Sequence, residues 1–556
     1  MTDPSATGSW PERWPYSGRR DPVAGRDAMV ATTDLLATRV GARILGEGGN
    51  AVDAAIAVSF ALAVVNPEAG NVGGGGYLLV RRADGTTDAL DYRSAAPAAA
   101  TRDMFRDPHA AAGSEAGRRA VAVPGAVQGL WQAHRRHGRL AWDSLVQPSV
   151  VLASGFPVGE RLVRSFTPPI VEGLSRFEAT RAVFLASGGR PPRSGDMFRQ
   201  PDLGRTLERI RDHGADGFYR GVTADLIVAE LSHGGGLLTH EDLESYRPVW
   251  RQPIRFGYRE HHVLSMPPSS SGGLTLSATA SILEAFPLSD LAWHGADHVH
   301  LLAEAWRRAF ADRNHYLADP AFTDLPGDTL LSPGYGRWRA AGVAPDRATP
   351  STDVGPGVAS YGGHTTHVSI VDPTGTAVSL TTTLNTWFGS KLMAEGTGVL
   401  LNNEMDDFTT RPGIPNHFGL IQGDANAIQP GKRPLSAMTP TIVLDPEERL
   451  LLVVGSPGGA TIITTVFQVV SNIVDHGMDL SRAVRAPRVH HQHLPDRIEC
   501  EPGGLTAHVS SRLRAIGHRV EERVEPIGDV QAVLVAPDGS LLGESDPRRG
   551  GAALGA

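Results

Sequence analysis

The residues whose setting most invites chemistry are Gly362-Gly363-His364-Thr365-Thr366-His367-Val-Ser-Ile-Val371, where a glycine-studded stretch meets the first residue of a strand and that residue is threonine. The run from Val354 to Gly363 carries no hydrophobic period and reads as an exposed segment that can be cut. Attack of the threonine hydroxyl on the preceding carbonyl, an N→O acyl shift and hydrolysis of the ester would free a new N-terminus. That terminus carries a hydroxyl beside its own α-amine. An α-amine with a pKa of about 7.7–8 is a general base near neutral pH, which is the threonine–amine form of nucleophilic catalysis. β-Propensity alone also places Thr-Thr at a strand start, so the pattern by itself leaves both readings open.

Other chemistries fare worse. There is no G-x-S-x-G, so the nucleophile elbow of α/β-hydrolases is absent. Ser269-Ser270-Ser271 before Gly272-Gly273 reads equally as an anion holder or a turn. The single cysteine, Cys500, excludes an internal disulfide and any multi-thiolate metal site, and the flanking Glu499 and Glu501 oppose thiolate formation. His490, His491 and His493 lack the helical spacing of a metal motif, so no metal and no cofactor is expected. Lys391 and Lys432 are the only lysines, which excludes a P-loop, and 60 acidic against 52 basic residues give a net charge of −8 that makes nucleic acid a poor partner.

These residues need elements to hold them. Asn50 caps a helix, Ala51 to Val65, that is apolar on nearly all sides and therefore belongs inside. It is broken by Asp53, closed by Pro67 and shorter than the roughly 20 residues that cross a bilayer. Gly73 to Gly76 opens a strand, Tyr77 to Arg82, which turns at Asp84-Gly85 into a second strand ending near Arg93. From Val121 to about Phe310 the pattern is mostly helical, a supporting layer, and residues 325–364 read as flexible. Alternation then predicts a hairpin of Thr366 to Val371 with Ala377 to Thr383, a second of Thr439 to Leu444 with Leu450 to Val454, a helix from Thr461 to Asp475 and a last hairpin turning at Asp538-Gly539. Together these could complete two sheets covered by helices.

Several separated motifs, in this order, carry a resemblance: Gly49-Asn-Ala-Val-Asp-Ala-Ala55, Asn71-Val-Gly-Gly-Gly-Gly76, Val123-Pro-Gly125, Met266-Pro-Pro-Ser-Ser-Ser-Gly-Gly273, Thr365-Thr-His367, Thr383-Leu-Asn385, Asn402-Asn-Glu-Met-Asp-Asp-Phe408, Gly423-Asp-Ala-Asn426, Arg433-Pro-Leu-Ser436, Gly455-Ser-Pro-Gly-Gly459 and Asp546-Pro-Arg548. From about Asp27 to Ala553 the sequence resembles the γ-glutamyltranspeptidases (γ-glutamyltransferases, glutathione hydrolases) of the N-terminal nucleophile hydrolase superfamily. The resemblance implies an α+β fold, a four-layer αββα sandwich formed by two subunits of one precursor: residues 1–364 as the large subunit and 365–556 as the small catalytic one. It implies self-cleavage between His364 and Thr365, with Thr365 as nucleophile on a γ-glutamyl amide such as glutathione and water or an amino acid resolving the acyl-enzyme. Thr383 is then the supporting threonine, and Gly458 and Gly459 match the oxyanion hole, ahead of a helix N-terminus that suits negative charge. Arg93 and Ser436 suit the substrate α-carboxylate, and Asn385, Glu404 and Asp407 the α-ammonium. Residues 412–424 match the family's lid loop.

Departures from the family put substrate identity in question. Ser436 is followed by Ala437, which removes a carboxylate donor; Arg93 is followed by Ser94 in place of a glutamate, which removes a charge partner; Phe418 stands where relatives often carry an aromatic hydroxyl. The residues before Ala24 lack the apolar core of a signal peptide, so a cytoplasmic enzyme is expected, with no membrane partner. The alternatives are a same-fold acylase or C–C-bond hydrolase of a secondary-metabolite pathway, and an inactive, uncleaved scaffold.

Overall fold

Strand alternation after residue 364 does produce paired strands, and they sit at the centre of one sheet. The computed structural model of the chain describes residues 10–18, 20–70, 72–107, 113–185, 188–355, 364–411, 417 and 423–556, with His364 and Thr365 described by their backbone alone. In chain order the sheet strands are β1 Val23–Gly25, β2 Met29–Thr32, β3 Gly75–Arg81, β4 Thr87–Asp91, β5 Val249–Arg251, β6 Ile254–Tyr258 and β7 His261–Ser265. They continue with β8 His364–Val371, β9 Ala377–Asn385, β10 Thr441–Leu444, β11 Leu450–Gly455, β12 Gln531–Val535, β13 Leu541–Ser545 and β14 Ala552–Gly555. Two seven-stranded antiparallel sheets result, ordered β14-β2-β8-β9-β3-β4-β5 and β1-β13-β12-β11-β10-β7-β6. Each sheet mixes strands from before and after residue 364.

The period of two explains how the layers stack. On β3, Leu78 and Val80 join a core with the helices α1 Leu35–Gly46 and α2 Ala51–Val65, while Tyr77 and Leu79 join the core that includes the second sheet. That second core is closed by helices α3 Gly272–Leu283, α4 Ala296–Tyr316 and α5 Thr461–Val474. The expected αββα sandwich is the observed architecture. At its centre His367, fully buried, lies so close to Gly455 of the facing sheet that a Cβ there would sit 2.2 Å from the imidazole. Burial pushes His367 down to about 3, so the ring is neutral, bonded to Thr381 and Ser369.

Every residue of α2 is buried, as its composition requires, so its N-terminal amides must be satisfied internally. Asn50 accepts from the amides of Val52 and Asp53, Asp53 accepts from Asn50, and the Ala51 amide donates to Asp372 at 2.9 Å. Such a cap contributes about 1 kcal/mol.

Two expectations need correction. The stretch read as a helical layer, 121–310, also supplies β5, β6 and β7, which lengthen both sheets; on β6, Ile254, Phe256 and Tyr258 are buried while Arg255 and Gly257 are exposed. The stretch read as flexible, 325–364, holds helices Gly327–Leu331 and Pro333–Ala340 before the undescribed residues 356–363. Ser332 caps the second helix and Pro333 takes its first position, where a missing amide costs nothing. The candidate lid falls outside the described residues except for His417, Gly423 and Asp424, and Phe418 is among those left out. No described helix is long and apolar enough to cross a membrane.

Candidate active site

The start of β8 lies against the end of β9, and the ladder is irregular there. His364 pairs with Asn385 and Thr366 with Thr382, so two steps on one strand face three on the other. Irregularities of this kind re-aim side chains and gather beside functional sites. Asn385 takes a positive φ of 81°, and its amide donates to Thr383 Oγ1 at 2.8 Å while its side chain donates to the Asn403 carbonyl at 3.0 Å. The glycine run before β3 permits the approach: a Cβ on Gly74 would lie 2.0 Å from the Thr383 carbonyl oxygen. Thr33 reaches the same region, its hydroxyl 2.7 Å from that of Thr366.

Arg93 lies two residues past the end of β4 and is fully buried. Its Nη1 lies 2.8 Å from Glu404, its Nη2 pairs with Asp407, and the two carboxylates come from one 3-10 turn, Glu404–Asp407. The expectation that Ser94 leaves the arginine without a charge partner is therefore wrong. The partners arrive from more than 300 residues away, and Ser94 favours the charged form of Glu404. Burial alone would lower the arginine pKa, but Glu404 and Asp407 more than offset it and hold the guanidinium charged. Burial pushes Asp407 up to about 7, with Asp406 and Glu404 adding to the rise and Arg93 opposing it. Glu404 is raised by burial against the pull of Arg93 and Ser94, and Asp406 by burial against Ser114, which donates to it at 2.8 Å. The space bounded by Arg93, Thr383, Asn385, Asp407, Ser436 and Ile462 is only about 10 Å³.

Ser436 stands on the other wall. Its amide donates to the Ser269 carbonyl at 3.0 Å, its carbonyl accepts from the Ser271 amide and hydroxyl, and Ala437 lines the same space. The serine triplet is thus a buried brace under Ser436. Asn426 ties this wall to the acidic turn, donating to the Asp407 carbonyl at 2.7 Å and accepting from the Leu435 amide at 3.0 Å. Gly458 and Gly459 precede α5 with φ of 140° and 67°, and a Cβ on Gly458 would meet Thr461 Oγ1 at 2.5 Å. Only glycine suits that approach, which leaves bare amides ahead of a helix N-terminus.

The structure thus gathers Arg93, Thr383, Asn385, Asp407 and Ser436 around one small space, with Glu404 behind Arg93 and the backbone of His364 and Thr365 at the ladder's end. Sequence reasoning passed over Asp91 and Arg313. Asp91 accepts from the Arg93 amide at 3.1 Å and from Ser269 Oγ at 3.1 Å. Arg313 of α4 is fully buried, donates Nε to Ser271 Oγ at 2.7 Å and leaves Nη2 without a hydrogen-bond partner among the described residues. Burial pushes it down to about 9 against the pull of Asp407. An arginine inside a helix whose neighbours Phe310 and Ala311 are apolar was the available signal.

His490, His491 and His493 take separate partners: Thr464 and Gln492, Asp496, and the Ser351 carbonyl. His300, Glu304 and His518 come close enough to suit a metal, but Glu304 is paired with Arg307 and Arg308 and the two histidines bond each other. Cys500 is buried, which with Glu522 and the flanking glutamates pushes its thiol up to about 12.

Comparison with known proteins places the whole chain in one family. Residues 37–556 match the family described as Gamma-glutamyltranspeptidase. The chain is 44% identical over 533 residues to the "Glutathione hydrolase proenzyme" of Escherichia coli (strain K12), covering 95% of this chain and 91% of that one. Among solved structures, a cephalosporin acylase from Bacillus halodurans superposes with a TM-score of 0.84 at 27% identity, over 98% of this chain and 99% of that one. The Helicobacter pylori gamma-glutamyltranspeptidase does so with a TM-score of 0.58 at 36% identity, over 61% of this chain and 97% of that one. With more than nine tenths of its length matched, the chain belongs to the gamma-glutamyltranspeptidase family.

Proposed function

We propose that this chain is an autoprocessing γ-glutamyltransferase and glutathione hydrolase, cut between His364 and Thr365 into subunits of residues 1–364 and 365–556 that stay associated through their interleaved strands. The observation that carries the reading is Arg93 buried between Glu404 and Asp407, on a space also lined by Asn385, the ladder partner of His364. A γ-glutamyl group ends in an α-carboxylate and an α-ammonium, and a guanidinium beside two carboxylates offers each pole its complement. On binding, the substrate carboxylate takes Arg93 and the Ser436 hydroxyl, and its ammonium takes Glu404, Asp407 and Asn385.

The Thr365 hydroxyl then attacks the γ-carbonyl while the α-amine of the same residue takes its proton. The Gly458 and Gly459 amides, with the α5 N-terminus behind them, stabilise the oxyanion, and Thr383 supports the nucleophile. Collapse of the tetrahedral intermediate expels the amine, which leaves with that proton. Water or an amino acid attacks the resulting ester and restores Thr365. The test is intact-mass analysis of the purified protein followed by incubation with a γ-glutamyl anilide, where two chains and anilide release are expected. A second reading, an acylase for another acyl group, is favoured by Ala437 in the carboxylate wall and by the full-length likeness to a cephalosporin acylase. Two chains that leave the γ-glutamyl anilide untouched would select it.

A further inference from the structure

Among the described residues every other buried arginine stands in an ion pair, but Arg313 of α4 stands in none. We propose that Arg313 is a positioning residue for the donor: its buried guanidinium is a second cation behind Asp407, and it keeps that carboxylate charged, able to grip the substrate ammonium, once the substrate carboxylate has taken Arg93. The inference rests on the γ-glutamyl reading above.

Geometry is the first argument. Arg313 Nε donates to Ser271 Oγ at 2.7 Å and Nη1 to Asn314 Oδ1 at 3.2 Å, while Nη2 has no hydrogen-bond partner among the described residues. The Ser271 hydroxyl donates in turn to the Ser436 carbonyl at 2.6 Å, and Ser436 lines the same space as Asp407. Asn426 closes the unit, donating to the Asp407 carbonyl and accepting from the Leu435 amide beside Ser436. Arg313 does not itself line that space. It stands one hydrogen-bonded serine behind the wall.

Charge is the second argument. Asp407 meets Glu404 and Asp406 on its own turn, Arg93 beyond β4 and Arg313 on α4. A bound α-carboxylate claims Arg93 and cancels much of its pull on Asp407, while Glu404 and Asp406 still oppose a charge there. A buried carboxyl in that setting takes up a proton and loses its attraction for an ammonium. Arg313 lies outside the substrate's reach and has no carboxylate of its own to serve, so its charge remains available to Asp407. Burial pushes it down to about 9, which leaves it a cation through pH 8.

The experiment uses L-glutamate, which carries both α groups and no scissile bond, as a competitive inhibitor of γ-glutamyl anilide hydrolysis at pH 6.5 and pH 8.5. It compares Arg313→Gln, Arg313→Met and Arg313→Lys with the unaltered protein. The neutral variants remove a buried charge without stranding an ion-pair partner, so folding and maturation into two chains, followed on a denaturing gel, are expected to survive. Both neutral variants should raise the inhibition constant about eightfold at pH 6.5 and less than about 1.5-fold at pH 8.5, as Asp407 moves up by about one pH unit from about 7. Arg313→Lys, which keeps a cation, should return the value at pH 6.5 to within about twofold of the unaltered protein. A brace that only holds Ser271 would weaken binding by one factor at both pH values, or through Arg313→Met alone. Either result, or an unmoved inhibition constant, would overturn the assignment. An unaltered protein that matures but neither hydrolyses the anilide nor responds to glutamate would overturn the γ-glutamyl reading, and this assignment with it.

Discussion

Replacing Arg93 by methionine tests whether the charges of the site hold one another in place. The guanidinium and both carboxylates are at most 5% exposed, so the substitution leaves Glu404 and Asp407 buried without their counter-charge. Breaking a buried pair from one side costs about 3–5 kcal/mol. The cost depends on pH, and its sign follows from where the protons sit. Burial already raises both carboxylates, and loss of Arg93 raises them further. The folded variant therefore holds protons to higher pH than its unfolded chain, and its stability falls as pH rises through that window. Urea unfolding at pH 8 should show the full deficit against the unaltered protein, and at pH 5 a much smaller one. The triple variant R93M/E404Q/D407N should recover most of the loss, because removing a whole buried charge set is close to neutral. A single variant within about 0.5 kcal/mol of the unaltered protein at pH 8, or a deficit equal at both pH values, would refute the reasoning.

Three further outcomes are expected. Thr365→Ala should remain one chain on a denaturing gel and release no anilide; two bands would remove Thr365 as the nucleophile of maturation. Ala437→Ser adds a hydroxyl to the wall beside Ser436 and should lower KM for γ-glutamyl donors about fivefold with kcat little changed, whereas an unmoved KM would show that this wall does not face the carboxylate. Lys391 donates to Thr386 Oγ1 at 3.1 Å and the Gly389 carbonyl at 2.9 Å, and burial pushes its ammonium down to about 7. The unfolded chain then binds more protons above pH 7, so this residue makes stability rise from pH 7 toward 10; Lys391→Met should flatten that rise in urea midpoints, and an unaltered slope would contradict the account.

What could be read along the chain was what depends on near neighbours. Alternation and turn residues located the hairpins around Pro373–Gly375 and Asp538-Gly539, and Asn50 with an unbroken apolar run located α2. Strands β5, β6 and β7 escaped because they are at most five residues long and sit between helical stretches, where their short alternation is drowned by the longer period. Pro333 and Gly334 read as loop markers, although a proline at a first helical position behind Ser332 starts a helix. At the candidate site, residue types and motifs named Arg93, Thr383, Asn385, Asp407 and Ser436, which line one space, but pairing across hundreds of residues did not show. Ser94 removed the local partner of Arg93 while Glu404 and Asp407 supplied distant ones, and Arg313 lay hidden in the register of a buried helix.

If the protein itself breaks the bond between His364 and Thr365, N-terminal sequencing of the smaller chain after purification and incubation finds a chain that begins Thr-Thr-His-Val and ends at Ala556. A smaller chain with any other first residue, or a protein that never divides, rules self-cleavage at that bond out.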